Sequence, residues 1–228
     1  MDDAKRMASR FYGHGRWDAP YWFIGPEQGQ AKKENDDLGP RIRAWLQLGA
    51  EHLNDCGAFH ELLAERRWHQ ERPSLQPTWR PLLLLLMKFL GKPTDKDSLR
   101  YYQRDRWGRL REGETCVIEL SGLPANNVKV SGERTRKLFG KEEINVIRNE
   151  RIAFIRDQMR SERPTLVVMY GWGERKHWEE IAGRPFPSDD VLKLGQTMVA
   201  LTRHPTAHGS RNQYWEELGQ RLRRESSR

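Results

Sequence analysis

The chain has 228 residues, with 40 Lys+Arg against 32 Asp+Glu, a formal net charge of +8 and a pI near 9.6. Its 36% hydrophobic and 32% charged fractions fit one globular domain over 1–228 with a sizeable core, and exclude a disordered chain. Only Cys56 and Cys116 are present, which excludes a tetrathiolate zinc or iron–sulfur centre within one chain.

The opening MDDAKRMASRF lacks the apolar core of a signal peptide. The longest apolar run, Leu82 to Met87, is far short of the roughly 20 residues of a spanning helix. With free thiols, this sets the expectation of a cytoplasmic, monomeric protein with no membrane partner. The basic excess favours a polyanionic partner, nucleic acid first.

In chain order, the first apolar run is Tyr21-Trp22-Phe23-Ile24, ending at Gly25. Near-continuous, β-rich runs of this kind read as strands covered on both faces of a parallel sheet. Arg41 to Leu53 follows with a mostly one-sided apolar pattern, and Trp79 to Leu90 reads as a buried helix. The second run starts at Cys116-Val117-Ile118 and continues to Leu120. Glu142 to Glu162 spaces Ile144, Ile147, Ile155 and Met159 for a helix that Pro164 stops. Leu166 to Tyr170 and Met198 to Leu201 are the third and fourth runs, and Arg211 to Arg224 is an amphipathic helix. The alternation predicts a three-layer α/β/α sandwich with a central four-stranded parallel sheet. The stretch 55–114, rich in Trp, Arg, His and Pro, is longer than one crossover needs and reads as a helical insertion between strands one and two.

Sites on open α/β sheets collect past the carboxyl ends of strands. There the sequence places Gly25-Pro26-Glu27-Gln28-Gly29, Ser121 through Asn127, Gly171-Trp172-Gly173, and Arg203-His204-Pro205-Thr206-Ala207. A carboxylate, amides and an imidazole are thereby expected on one rim.

Three segments carry a resemblance. PYWFIGPEQG is similar to a first motif in which a strand runs into a glycine-flanked turn. RPTLVVMYG resembles a third strand, and MVALTRHPTAHGSRNQYWEELGQRL a closing strand, His-Pro turn and C-terminal helix. Together, from about Pro20 to Leu222, they resemble the uracil-DNA glycosylase superfamily in motif and order. The resemblance implies a monofunctional enzyme that flips a nucleotide and hydrolyses its N-glycosidic bond, leaving an abasic site. By that resemblance, His204 stabilises the leaving base, and Glu27 or Gln28 orients water or favours the cationic sugar. Gly25 and Gly29 let backbone approach the ligand, while Ser121, Asn126 and Asn127 read the base edge. Thr206, His208, Ser210 and Arg211 contact DNA, with the loop from Ala207 to Arg211 at the family's wedge position. Trp22, Phe59, Trp79 and Trp172 are candidates to stack on the base. Arginines of the 55–114 stretch, Arg66, Arg67, Arg72, Arg80, Arg104, Arg106, Arg109 and Arg111, are candidates for phosphate contacts.

The chain departs from the superfamily in two ways that bear on substrate. Glu119, Leu120 and Ser121 stand where uracil-specific members commonly carry an Asn, and the stretch before strand two is long. These favour a bulky modified cytosine, such as glucosylated hydroxymethylcytosine of phage DNA, in antiviral defence. The alternatives are uracil or deaminated-base excision in repair, and an inactive DNA-binding module of the same fold. A flavodoxin-like nucleotide enzyme ranks third, without a phosphate-loop signature. No cofactor is expected. The scatter of His52, His60 and His69 lacks a tight ligand spacing, so no metal site is expected.

Overall fold

The computed structural model describes residues 2–29, 38–125, 138–209 and 211–227. These residues form an α/β fold built on a mixed sheet with seven strands among them. The strands are β1 (Gly13–Gly15), β2 (Tyr21–Gly29), β3 (Leu53–Asn54), β4 (Thr115–Ala125), β5 (Leu166–Tyr170), β6 (Val191–Leu194) and β7 (Thr197–Thr202). Their order is β3-β1-β4-β2-β5-β7-β6. Pairing is parallel between β4 and β2, β2 and β5, β5 and β7, and β1 and β3. It is antiparallel where β1 meets β4 and β6 meets β7.

The helices among the described residues are α1 (Asp2–Arg10), α2 (Gly39–Gln47), α3 (Cys56–Leu62), α4 (Trp79–Leu90), α5 (Lys96–Asp105), α6 (Lys141–Glu162), α7 (Arg175–Ala182) and α8 (Asn212–Ser226). None is long and apolar enough to cross a membrane.

Side chains alternate along a strand, so each apolar run feeds two cores. Trp22 and Ile24 of β2, Ile118 of β4, Val167 and Met169 of β5, and Val199 and Leu201 of β7 pack with Ile152, Ile155 and Met159 of α6 and Trp178 of α7. Phe23, Val117, Val168, Tyr170 and Ala200 point the other way, onto the α4 leucines and onto Trp215 and Leu222 of α8. Each fully buried leucine contributes about 2 kcal/mol, and Leu82 to Leu86 are all buried.

Helix α4 lies inside the 55–114 stretch yet forms part of the layer covering the sheet. It packs so closely on α8 that a Cβ at Gly219 would collide with the Leu85 carbonyl. The expected four strands are present in a wider sheet. The three additional strands β1, β3 and β6 are short, and His14, Asn54 and Lys193 break any apolar pattern in them. Strands β2 and β4 also run past the expected ends, so Glu27 and Ser121 sit within the sheet. The expected helix from Arg41 to Leu53 stops at Gln47, and Leu53 starts β3.

One buried cation fastens β4 to α1 and the segment that follows it. Arg151 of α6 donates to the carbonyls of Leu120 (2.7 Å), Glu119 (2.7 Å), Phe11 (2.9 Å) and Ala8 (3.1 Å). Its guanidinium stacks on Tyr12 at 4.0 Å. The planar fork of an arginine suits this task, because it satisfies several acceptors at once.

Candidate active site

Parity along the strands brings the site together. Gly25 and Glu27 share a face with Phe23, Glu119 and Ser121 with Val117, and Tyr170 with Val168. The register pairs Gly25 with Glu119 and Glu27 with Ser121.

Glu119 is almost wholly buried. The Tyr170 hydroxyl donates to its Oε1 at 3.3 Å, while its Oε2 is buried without a hydrogen-bond partner among the described residues. Burial pushes the Glu119 carboxyl up to about 8, the nearby charge of Glu27 adds to the rise, and the bond from Tyr170 opposes it. Glu119 is therefore largely neutral at pH 7. Gly25 is required here by close approach, since a Cβ would overlap both Tyr170 Oη and Glu119 Oε2. The group it admits is a side chain of the protein, where the sequence reading expected a ligand.

The Tyr170 ring meets His204 edge to face at 5.6 Å. His204 is half-buried, and desolvation lowers its pKa. Its Nδ1 faces the Thr206 amide at 3.3 Å and the Thr206 hydroxyl at 3.0 Å. A backbone N–H can only donate, so Nδ1 accepts and the ring proton of the neutral form sits on Nε2. Thr206 thus orients the imidazole.

Gly171, at φ +96°, turns the chain out of β5 into an exposed Trp172. Of the four aromatic candidates, Trp22 and Phe59 are sealed in the cores, Trp79 is half-buried and Trp172 is open. Arg203 bridges the rim, its guanidinium 5.3 Å from the Trp172 ring and 4.6 Å from that of Tyr214. His208 and Arg211 are exposed beside this turn.

Other expected residues are placed differently or lie elsewhere. The Ser121 hydroxyl donates to the Leu123 carbonyl (3.1 Å) and accepts from the Leu123 amide (3.3 Å), which braces β4. Gln28 and Gly29 are described as backbone at the end of β2. Asn126, Asn127 and Ser210 lie outside the described residues. Of the arginines in 55–114, Arg66 pairs with Glu61, Arg104 with Asp105 (2.7 Å), Arg106 with Glu112 (3.7 Å) and Arg109 with Asp55 (3.2 Å). Local carboxylates therefore offset much of the charge assigned to phosphates.

The sequence reading missed Glu119 and Tyr170 as site residues. A charged residue at an inward position of an otherwise apolar strand was the available signal. A cleft of about 450 Å³ lies at the other end of the sheet, lined by Arg160, Arg163, Gln196 and Thr197. The residues lining it include no acid and no imidazole.

A second constellation brings one thiol and two imidazoles within reach of one another, a set the expectation of no metal site did not consider. Cys56 and His60, one turn apart on α3, meet His69 from the following turn. The sequence reading paired the histidines with each other and left Cys56 out.

No family model matches the chain, and no curated protein matches it.

Proposed function

We propose that the chain is a monofunctional DNA glycosylase of the uracil-DNA glycosylase type, hydrolysing the N-glycosidic bond of a flipped pyrimidine nucleotide. The observation that carries this reading is His204, held with its proton on Nε2 at the same rim as the Glu27–Glu119 pair. Breaking the bond leaves negative charge on the base and positive charge on the sugar. A neutral imidazole N–H donates to the base carbonyl as that charge develops. With Glu119 neutral, Glu27 supplies the carboxylate that favours the sugar cation and orients water. Exposed Trp172 provides a stacking face, and His208, Arg211 and Arg203 lie where the DNA backbone would pass. Strand cleavage by a Schiff base forms no part of the reading.

In this reading the chain is one domain over 1–228. The parallel strands β4, β2, β5 and β7 are its core. Strands β1, β3 and β6 are additions, and 55–114 is an elaborated crossover that donates α4 to the core. The favoured substrate is a bulky modified cytosine. Glu119 is sealed beneath Gly25 and the Ser121 hydroxyl is engaged, so neither acts as the uracil-reading amide. DNA is the partner.

The test is a panel of duplexes carrying uracil, hypoxanthine, hydroxymethylcytosine or its glucoside, followed by alkali. Alkali-labile sites with the modified cytosines are the expected result. Cleavage of uracil DNA alone rejects the bulky-base assignment. Binding without abasic sites on every duplex rejects the enzyme in favour of an inactive binding module.

A further inference from the structure

Cys56 Sγ, His60 Nδ1 and His69 Nε2 converge within 4.8 Å of one another. The separations are 3.5 Å from Sγ to His60 Nδ1, 3.8 Å from Sγ to His69 Nε2, and 3.0 Å between the two nitrogens. We propose that these three atoms bind one zinc-class divalent ion, with water in the fourth position, and that the ion clamps α3 to the turn that follows it.

The distances argue for this directly. Zn–S near 2.3 Å and Zn–N near 2.0–2.1 Å set tetrahedral edges of about 3.5 Å for S–N and about 3.3 Å for N–N. All three observed edges fall within a few tenths of an ångström of those values before any adjustment. The donor set of one thiolate and two imidazoles is also the chemistry that selects zinc over magnesium or calcium.

The surroundings complete a site. The Cys56 amide donates to the Gly108 carbonyl at 2.9 Å, which fixes the first turn of α3. Asp55 caps that helix through the Ala58 amide and pairs with Arg109. His60 ligates through Nδ1, and its Nε2 faces Glu65 Oε2 at 3.7 Å, close enough for that carboxylate to act on the ring through charge. The Trp79 ring flanks His60 at 5.5 Å and His69 at 5.9 Å, which limits water access from α4. The ring of His14 stands 5.9 Å from that of His60. None of these groups belongs to the carboxyl rim, so the proposal stands independently of the glycosylase reading.

The experiment uses the full chain, purified without chelator, with metal content measured by mass spectrometry. After chelation and cobalt addition, absorption is recorded. One equivalent of metal is expected, with intense visible bands of tetrahedral Co²⁺ and a near-ultraviolet thiolate-to-cobalt band. Cys56→Ser abolishes the thiolate band, Cys116→Ser retains it, and His69→Ala weakens metal binding at least tenfold. Chelation lowers the melting temperature, and zinc restores it. Where Cys56→Ser does not fold, the wild-type spectrum and His69→Ala decide. A folded wild-type chain that takes up no stoichiometric cobalt or zinc overturns the proposal, as does a thiolate band that depends on Cys116. Either result would leave Cys56, His60 and His69 as a hydrogen-bonded triad.

Discussion

Tyr170 and Glu119 share one hydrogen bond of 3.3 Å in a buried site, and the second carboxyl oxygen of Glu119 faces the Gly25 backbone with no hydrogen-bond partner among the described residues. The pair joins the rim carboxylate of Glu27 to the imidazole of His204: Glu27 acts on Glu119 through charge, and the Tyr170 ring touches His204.

Glu119→Gln tests the charge state. A carboxyl whose folded pKa lies above its unfolded value binds extra protons in the native state, so stability falls as pH rises between the two values. For Glu119 that window runs from about 4.5 to about 8. Full ionisation costs on the order of 3–5 kcal/mol. Glu119→Gln should flatten this loss, leaving the variant relatively more stable at pH 9 than at pH 5. Urea denaturation at the two pH values measures it, and an unchanged pH dependence refutes the neutral-carboxyl assignment.

Gly25→Ala tests the close approach. The added methyl displaces Tyr170 Oη or Glu119 Oε2. A loss of about 1–3 kcal/mol is expected from overpacking. Abasic-site formation should fall more steeply than stability, because Tyr170 supports His204. Thermal unfolding alongside single-turnover cleavage separates the two effects.

His204 and Thr206 form a graded pair. His204→Ala should cut base excision by about 10²–10³-fold, the scale of a lost charge-stabilising donor, with DNA binding retained. Thr206→Val removes only the hydroxyl that faces Nδ1, so a smaller loss is expected. Equal losses would show that Thr206 does more than orient the ring. Because desolvation lowers the His204 pKa, the change in excision that accompanies protonation of the ring should fall at lower pH than for a free imidazole.

Arg151→Met tests the clamp on β4. The substitution leaves four carbonyls without their shared donor. A loss of about 3–5 kcal/mol is expected, since buried acceptors left unmatched are costly. Arg151→Lys should recover only part of it, because an ammonium cannot span all four. Chemical denaturation of the two variants provides the comparison.

Trp172→Ala addresses stacking. The ring is exposed, so stability should move by less than about 1 kcal/mol. Affinity for DNA with an extruded base should drop by about 1–3 kcal/mol. Unchanged affinity would remove Trp172 from the reading.

The sequence by itself determined the alternation of strands and helices and which residues stand at the strand ends. Runs such as Leu166 to Tyr170, apolar at every position, can be satisfied only between two covering layers, which the one-sided apolar patterns of α6 and α8 and the wholly apolar run of α4 supply. The candidate residues Gly25, Glu27 and His204 follow such runs directly, so their position at the strand ends was legible from the runs alone. Only the tertiary structure decided the partners. That Tyr170 bonds Glu119, that Thr206 fixes the His204 tautomer, and that Cys56 meets His69 all depend on register between segments distant in the chain or on the path of a turn. Hydrophobic period fixes which face a side chain takes, but carries no record of the neighbour waiting there.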